Sequence, residues 1–194
     1  MPHYVARTVT ENPGYMQAQI RVPASVTLHA GQVVVAENLD AGLGNGNYSV
    51  YAPTQVADAA AEDVALILDG GFETLADGRR PDGQPDYTQY TFAEGDVVTA
   101  FRLNVPNPRF ELSVEACDNT VTAAATGSTL KVGDNLIPKA GQYELSYSKK
   151  GTAVTAKNYL TIEALKYFRL GGQSGSEFTQ TMVVRAKVTD NAGE

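Results

Sequence analysis

The chain has 194 residues with 15 Lys and Arg against 22 Asp and Glu, so it can build a sizeable core but lacks the clustered cations that nucleic-acid binding needs. At 43% hydrophobic and 19% charged, the composition is that of a folded chain, not a disordered one. A single cysteine, Cys117, excludes an intrachain disulfide and a multi-cysteine zinc site, and no apolar run approaches the roughly 18 residues of a membrane span.

In chain order, the first 22 residues lack the apolar core of a signal peptide. Pro2–Pro23 offers few turn partners ahead of its strand, so residues 1–24 are expected to form an N-terminal arm or first strand that adds to the edge of a neighbour. Within it, Met16, Ala18, Ile20 and Val22 alternate with polar residues, the period-two pattern of a strand with one wet face. The same alternation marks Phe110–Ala116, Tyr143–Ser148 and Phe178–Val188. Shorter apolar runs beginning at Val33, Val64 and Val97 read as strands buried on both faces.

Two segments compete as helices. Gln55–Leu68 is alanine-rich, with Asp58 placed to cap a turn before Ala59–Asp63, and Tyr159–Leu170 mixes good helix formers with β-branched and aromatic residues. Asp69–Tyr87 carries four glycines and two prolines and reads as a long surface loop. Large apolar residues thin out over Cys117–Thr129, where a division is expected between a β subdomain of 25–117 and a second one, or a continuation of the same fold, over 118–194. The expected class is all-β, a β-barrel or β-sandwich with long loops and at most one or two short helices.

No catalytic, cofactor or metal residues emerge. Asp69, Asp77, Asp82 and Asp86 are spaced eight, five and four apart around Arg79 and Arg80, which suits turns better than a calcium loop. Gly42–Ser49 lacks the Lys-Ser/Thr and the following helix of a phosphate loop and reads as a hairpin turn. His3 and His29 are the two histidines, neither at metal-ligand spacing, and no serine sits in a nucleophile elbow. Glu62 with Asp63, and Glu111 with Glu115, could in principle serve as paired carboxylates. The alternation in Phe110–Ala116 directs Glu111 and Glu115 towards solvent. Cys117 reads as a small buried residue.

Three stretches echo one another: LHAGQVV at Leu28–Val34, FAEGDVV at Phe92–Val98 and LKVGDNL at Leu130–Leu136. They lie 64 and 38 residues apart, so they are not units of a tandem repeat. Glycine supplies a positive φ, and Asp or Gln can bond the turn's own backbone, which makes them architectural corners.

The order LHAGQVVVAENLDA, EDVALILDGG, then YTFAEGDVVTAFRLNVPNPRFELSVEA, with the closing SGSEFTQTMVVRAKV, resembles the head decoration (capsid cement) proteins of tailed bacteriophages. The resemblance spans Leu28–Val114 and Ser174–Val188 and rests on strand-and-turn patterns. It implies a non-enzymatic role: binding the major capsid protein on the outside of an icosahedral shell, as a homotrimer, without nucleic acid, membrane or cofactor. Localisation would then be the outer capsid surface of the virion after synthesis in the host cytoplasm. Two other readings share the strand-rich pattern. One is a phage tail or connector component that forms rings or tubes. The other is a host-surface or carbohydrate-binding β module using tyrosines near Tyr48, Tyr87 or Tyr90.

Overall fold

The computed structural model describes residues 4–9, 17–40, 49–68, 91–104, 108–170 and 179–191. The expected hairpin turn before Ser49, the whole loop of 69–87, His3, Tyr48, Tyr87 and Tyr90 lie outside them. Among the described residues, eleven strands follow in chain order: β1 Ala6–Thr8, β2 Gln17–Arg21, β3 Val33–Leu39, β4 Val50–Thr54, β5 Val64–Ile67 and β6 Val97–Arg102, then β7 Arg109–Ser113, β8 Asn135–Ile137, β9 Ser146–Ser148, β10 Asn158–Leu170 and β11 Thr179–Asp190. One helix among the described residues, α1, spans Asn119–Thr126. The protein is all-β, with one short helix among the described residues.

The strands divide into a closed barrel, in the order β2-β4-β3-β5-β6, and a six-stranded sheet, β1-β7-β11-β10-β8-β9. In the barrel, β2 pairs antiparallel with β6 to close the ring and parallel with β4. The six-stranded sheet is antiparallel throughout. Parts of the segment expected to extend as an arm are therefore strands of this chain's own sheets: β1 at the edge of the six-stranded sheet and β2 in the barrel. The backbone passes from the barrel to the sheet between β6 and β7, ahead of the sequence-based division near 117.

Alternation decides the faces. On β7, Phe110 and Leu112 are buried in the core, and across the ladder so are Val184 and Ala186 of β11. This inner face of the sheet packs on the barrel, where the Phe101 and Phe110 rings meet edge to face at 5.1 Å. One apolar cluster runs through both units, from Ile20 and Leu66 in the barrel to Leu160 and Val188 in the sheet. β5 is buried on both faces, as its unbroken VALI run predicts. The Val97 run instead alternates, with Val97 exposed and Val98 buried, so β6 has one wet side.

Both segments that compete as helices are otherwise engaged. Asp58 caps a turn by accepting from the Ala60 N–H at 2.9 Å, but the apolar end of that segment becomes β5. Tyr159–Leu170 falls within β10, because twelve residue pairs with β11 outweigh any local helical preference. The helix forms instead in the stretch expected as a division. Asp118 adopts extended φ/ψ and accepts from the N–H groups of Thr120 and Val121, an N-cap, while its other oxygen receives the Ser146 hydroxyl of β9 at 2.5 Å. Of the expected Tyr143–Ser148 strand, residues 146–148 pair with β8.

The three echoing stretches fold alike. In each, the fourth residue's N–H returns to the first residue's carbonyl: Gln32 to His29, Asp96 to Ala93 and Asp134 to Lys131. Each fourth side chain also accepts from the first residue's N–H, at 2.9, 2.8 and 2.8 Å. The third residue is glycine with φ of +93°, +87° and +91°, as a type II turn requires. The preceding Leu28, Phe92 and Leu130 are buried. Two of these corners are tied together, since Leu28 and Phe92 exchange backbone hydrogen bonds at 3.0 and 2.8 Å. The first corner also meets the sheet unit: a Cβ on Gly31 would lie 2.5 Å from the Ala116 Cβ, whereas one on Gly95 would meet nothing within 4 Å.

That contrast yields a test. Gly95→Ala carries backbone strain alone and costs about 1 kcal/mol. Gly31→Ala adds a steric conflict at the barrel–sheet joint and costs about 3 kcal/mol. Urea unfolding of the two variants measures the difference, and equal losses would mean that the joint is not close-packed at Gly31.

Candidate functional site

The outer face of the six-stranded sheet, turned away from the barrel, holds the densest group of ionisable side chains described. Strand periodicity places Arg109 and Glu111 of β7, Arg185 and Lys187 of β11, Arg7 of β1 and Lys166 of β10 on this side, because directly paired residues share a face. Glu111, only 4% exposed, lies at its centre. Its Oε2 accepts from Arg7 Nε and Nη2 at 3.1 and 2.8 Å, and its Oε1 from Lys166 Nζ at 2.5 Å and Arg185 Nε and Nη2 at 3.2 and 2.7 Å. A carboxylate has about four acceptor positions, so its capacity is filled. Beside it, Arg109 grips Glu163 through two parallel bonds of 2.7 and 3.1 Å.

This corrects the expectation that Glu111 points into solvent. The strand alternation is right about its face, but three cations from remote parts of the chain cover that face. Burial pushes the Glu111 carboxyl up, yet the hydrogen bonds from Lys166, Arg7 and Arg185 outweigh it and bring its pKa to about 2. Glu115, its proposed partner, does not continue the strand but follows β7 in a single 3-10 turn, Val114–Ala116.

The other candidates are used by the fold. Cys117 is buried and its thiol lies 4.0 Å from the Ser113 carbonyl; burial, then Asp118 and Glu144, push its pKa far up, away from the reactive thiolate. The His29 ring stacks on Tyr4 with centroids 4.0 Å apart, linking the first barrel corner to the start of β1. Burial holds its imidazole below the ordinary value, partly offset by Glu144. Asp63 bonds Asn158 and Lys157 across the joint, at 2.9 Å each, while Glu62 closes the neighbouring turn on the Ala57 and Asp58 N–H groups. A shallow groove between 57–60 and 137–140 is lined mainly by alanines, and its Asp58 already serves as the turn cap. Among the described residues, no group of three His, Cys, Asp or Glu could hold a metal.

Sequence reasoning missed the cation cluster because Arg7, Lys166 and Arg185 lie 104, 55 and 74 residues from Glu111 in the chain. The readable signal was a single Glu flanked by large apolar residues on a strand followed much later by a strand carrying Arg185 and Lys187. Compared with protein-family models, curated proteins and solved structures, the chain matches none.

Two pH windows follow. Glu111 is more acidic folded than unfolded, so its contribution is complete above pH 4.5 and is lost as pH falls towards 2. His29 is less basic folded than unfolded, so its contribution is complete above the ordinary value of 6.5 and declines below it. Urea midpoints followed from about pH 8 to about pH 3 should fall in two stages, with Glu111→Gln shrinking the lower one, to which the capping Asp118 carboxylate, also held below its ordinary value, contributes the remainder. At neutral pH that variant should lose about 3 kcal/mol, because three half-exposed cations keep one another's company without their anion. A loss below about 0.5 kcal/mol would show that the cluster does not hold the sheet.

Proposed function

We propose that this chain is a non-enzymatic structural protein of a tailed-phage virion that binds the outside of the capsid shell and reinforces it. The observation that carries the reading is how the chemically capable groups are used. Glu111 is saturated by cations, the Cys117 thiol is buried, and His29 is stacked in a joint between strands. These groups serve rigidity, and rigidity is what a reinforcing protein supplies. The segments that resemble decoration proteins are also the ones that build the frame: the Leu28 and Phe92 corners, β5 and β7.

A shell lattice repeats the same binding point many times, so modest individual contacts add up to a strong brace. A chain whose barrel and sheet share one core transmits load between its two ends without a hinge. In this reading the partner is the major capsid protein, the bound form is a homotrimer, and the site of action is the outer surface of the virion.

Capsids of the parent phage lacking this protein provide the test. Cosedimentation should show saturable binding, electron microscopy should place density at fixed lattice points, and bound capsids should resist heating better than bare ones. Absence of binding to such capsids would overturn the proposal, and rings or tubes formed by the protein alone would favour a tail component.

A further inference from the structure

The outer face of the six-stranded sheet carries more positive charge than the fold uses. Three cations, Arg7, Lys166 and Arg185, converge on the single carboxylate of Glu111. Lys166 and Arg185 have no second carboxylate among the described residues. Lys187 has none at all among them. It stands directly opposite Arg109 in the β7–β11 ladder, and two residues from Arg185 on the same face of β11. Like charges set opposite each other across a ladder cost stability. Glu163 offsets that repulsion from the Arg109 side only, through its bonds of 2.7 and 3.1 Å.

This surplus is within reach of a partner. The side chains of Lys166 and Arg185 are 33% and 34% exposed and that of Arg7 46%, while the carboxylate they share is 5% exposed. The anion lies beneath its cations, so the face turns positive charge outward. Beside Lys187, the paired Thr161 and the following Thr189 are small. Their hydroxyls bond each other at 2.9 Å, and Thr161 also bonds Asn135 at 3.0 Å. They make a low polar floor next to the ammonium. Glu111 already fixes Arg7, Lys166 and Arg185, so little side-chain freedom is left to lose when a partner docks.

We propose that this outer sheet face is the surface through which the chain docks, and that it fits a patch of Asp and Glu carboxylates on the outside of the shell. The shell as partner rests on the function proposed above; the acidic chemistry of the contact rests on this face. Carboxylates suit the array because a guanidinium takes one through two parallel bonds and an ammonium takes one as a point charge. A nucleic acid suits it less, since a chain of net charge −7 repels a polyanion beyond the immediate contact. A carboxylate docked beside Lys187 and Arg109 also relieves the like-charge pairing at that ladder position.

Equilibrium cosedimentation with capsids of the parent phage that lack this protein tests the contact. Binding of the wild-type chain should weaken as salt rises to about 0.5 M, where the screening length falls to about 4 Å. Lys187→Glu should weaken binding about tenfold and Lys187→Gln about threefold. Lys139→Glu, the same change of charge in the groove at the joint with the barrel, should shift it less than about twofold. Stability gives a readout of opposite sign. Lys187→Glu replaces a like-charged ladder pair with an oppositely charged one, so its urea midpoint should be no lower than that of the wild type. A wild-type chain that does not bind shells overturns this inference together with the shell-binding reading. Shells bound equally well by wild type and Lys187→Glu, or equal losses in Lys187→Glu and Lys139→Glu, overturn this inference alone. Tight binding of the wild type to duplex DNA at about 0.15 M salt, lost in Lys187→Glu, would make the face a nucleic-acid surface and overturn it as well.

Discussion

A buried carboxylate must be paired, and in this protein that requirement falls on Glu111. Taking it out of water is costly unless its oxygens are filled, and the fillers come from β1, β10 and β11. The carboxylate on β7 therefore ties the edge strand, its neighbour and the long hairpin to one register. A one-residue slip of any of these strands would move its cation to the inner face, among Phe110, Leu112 and Val184. The same bonds hold Arg7, Lys166 and Arg185 in a fixed array on the outer face, so the interaction that sets the sheet also shapes its surface.

The joint with the barrel is the second constraint. Backbone groups are shared across it: Val33 N–H donates to the Tyr143 carbonyl at 2.7 Å, Gly141 N–H to Val56 at 2.8 Å and Lys157 N–H to Ala59 at 2.7 Å. Gln32, the fourth residue of the first corner, also gives its side-chain amide to Glu144 at 2.8 Å. That corner consequently belongs to both units, and its glycine sits against Ala116 where no side chain fits. With one core running through, barrel and sheet are packed against each other as one unit.

Much of this architecture was legible in the sequence. Alternation marked β2, β7 and β11, the VALI run marked β5, and three similar glycine corners marked the ends of strands. Local signals did not suffice where distant partners decide. Tyr159–Leu170 suits helix or strand by its residues, and pairing with β11 settles it. Asn119–Thr126 carries few large apolar residues and so looks like part of a division over Cys117–Thr129, yet Asp118 caps it and Val121 with Ala124 anchors it to the core. Alternation assigned Glu111 to the outer face correctly but could not reveal that residues 7, 166 and 185 converge there. A strand pattern gives the side a residue faces, and only the fold gives what stands on that side.

Glu111 is an ionised, fully bonded pin in the folded protein. Its titration can be followed directly by carboxyl carbon NMR of the folded chain as pH is lowered. The midpoint should fall at about 2, with the fold beginning to open as the proton is taken up. A midpoint near the ordinary 4.5 in an intact fold would contradict it, since the carboxylate would then not be gripped by Arg7, Lys166 and Arg185 in solution.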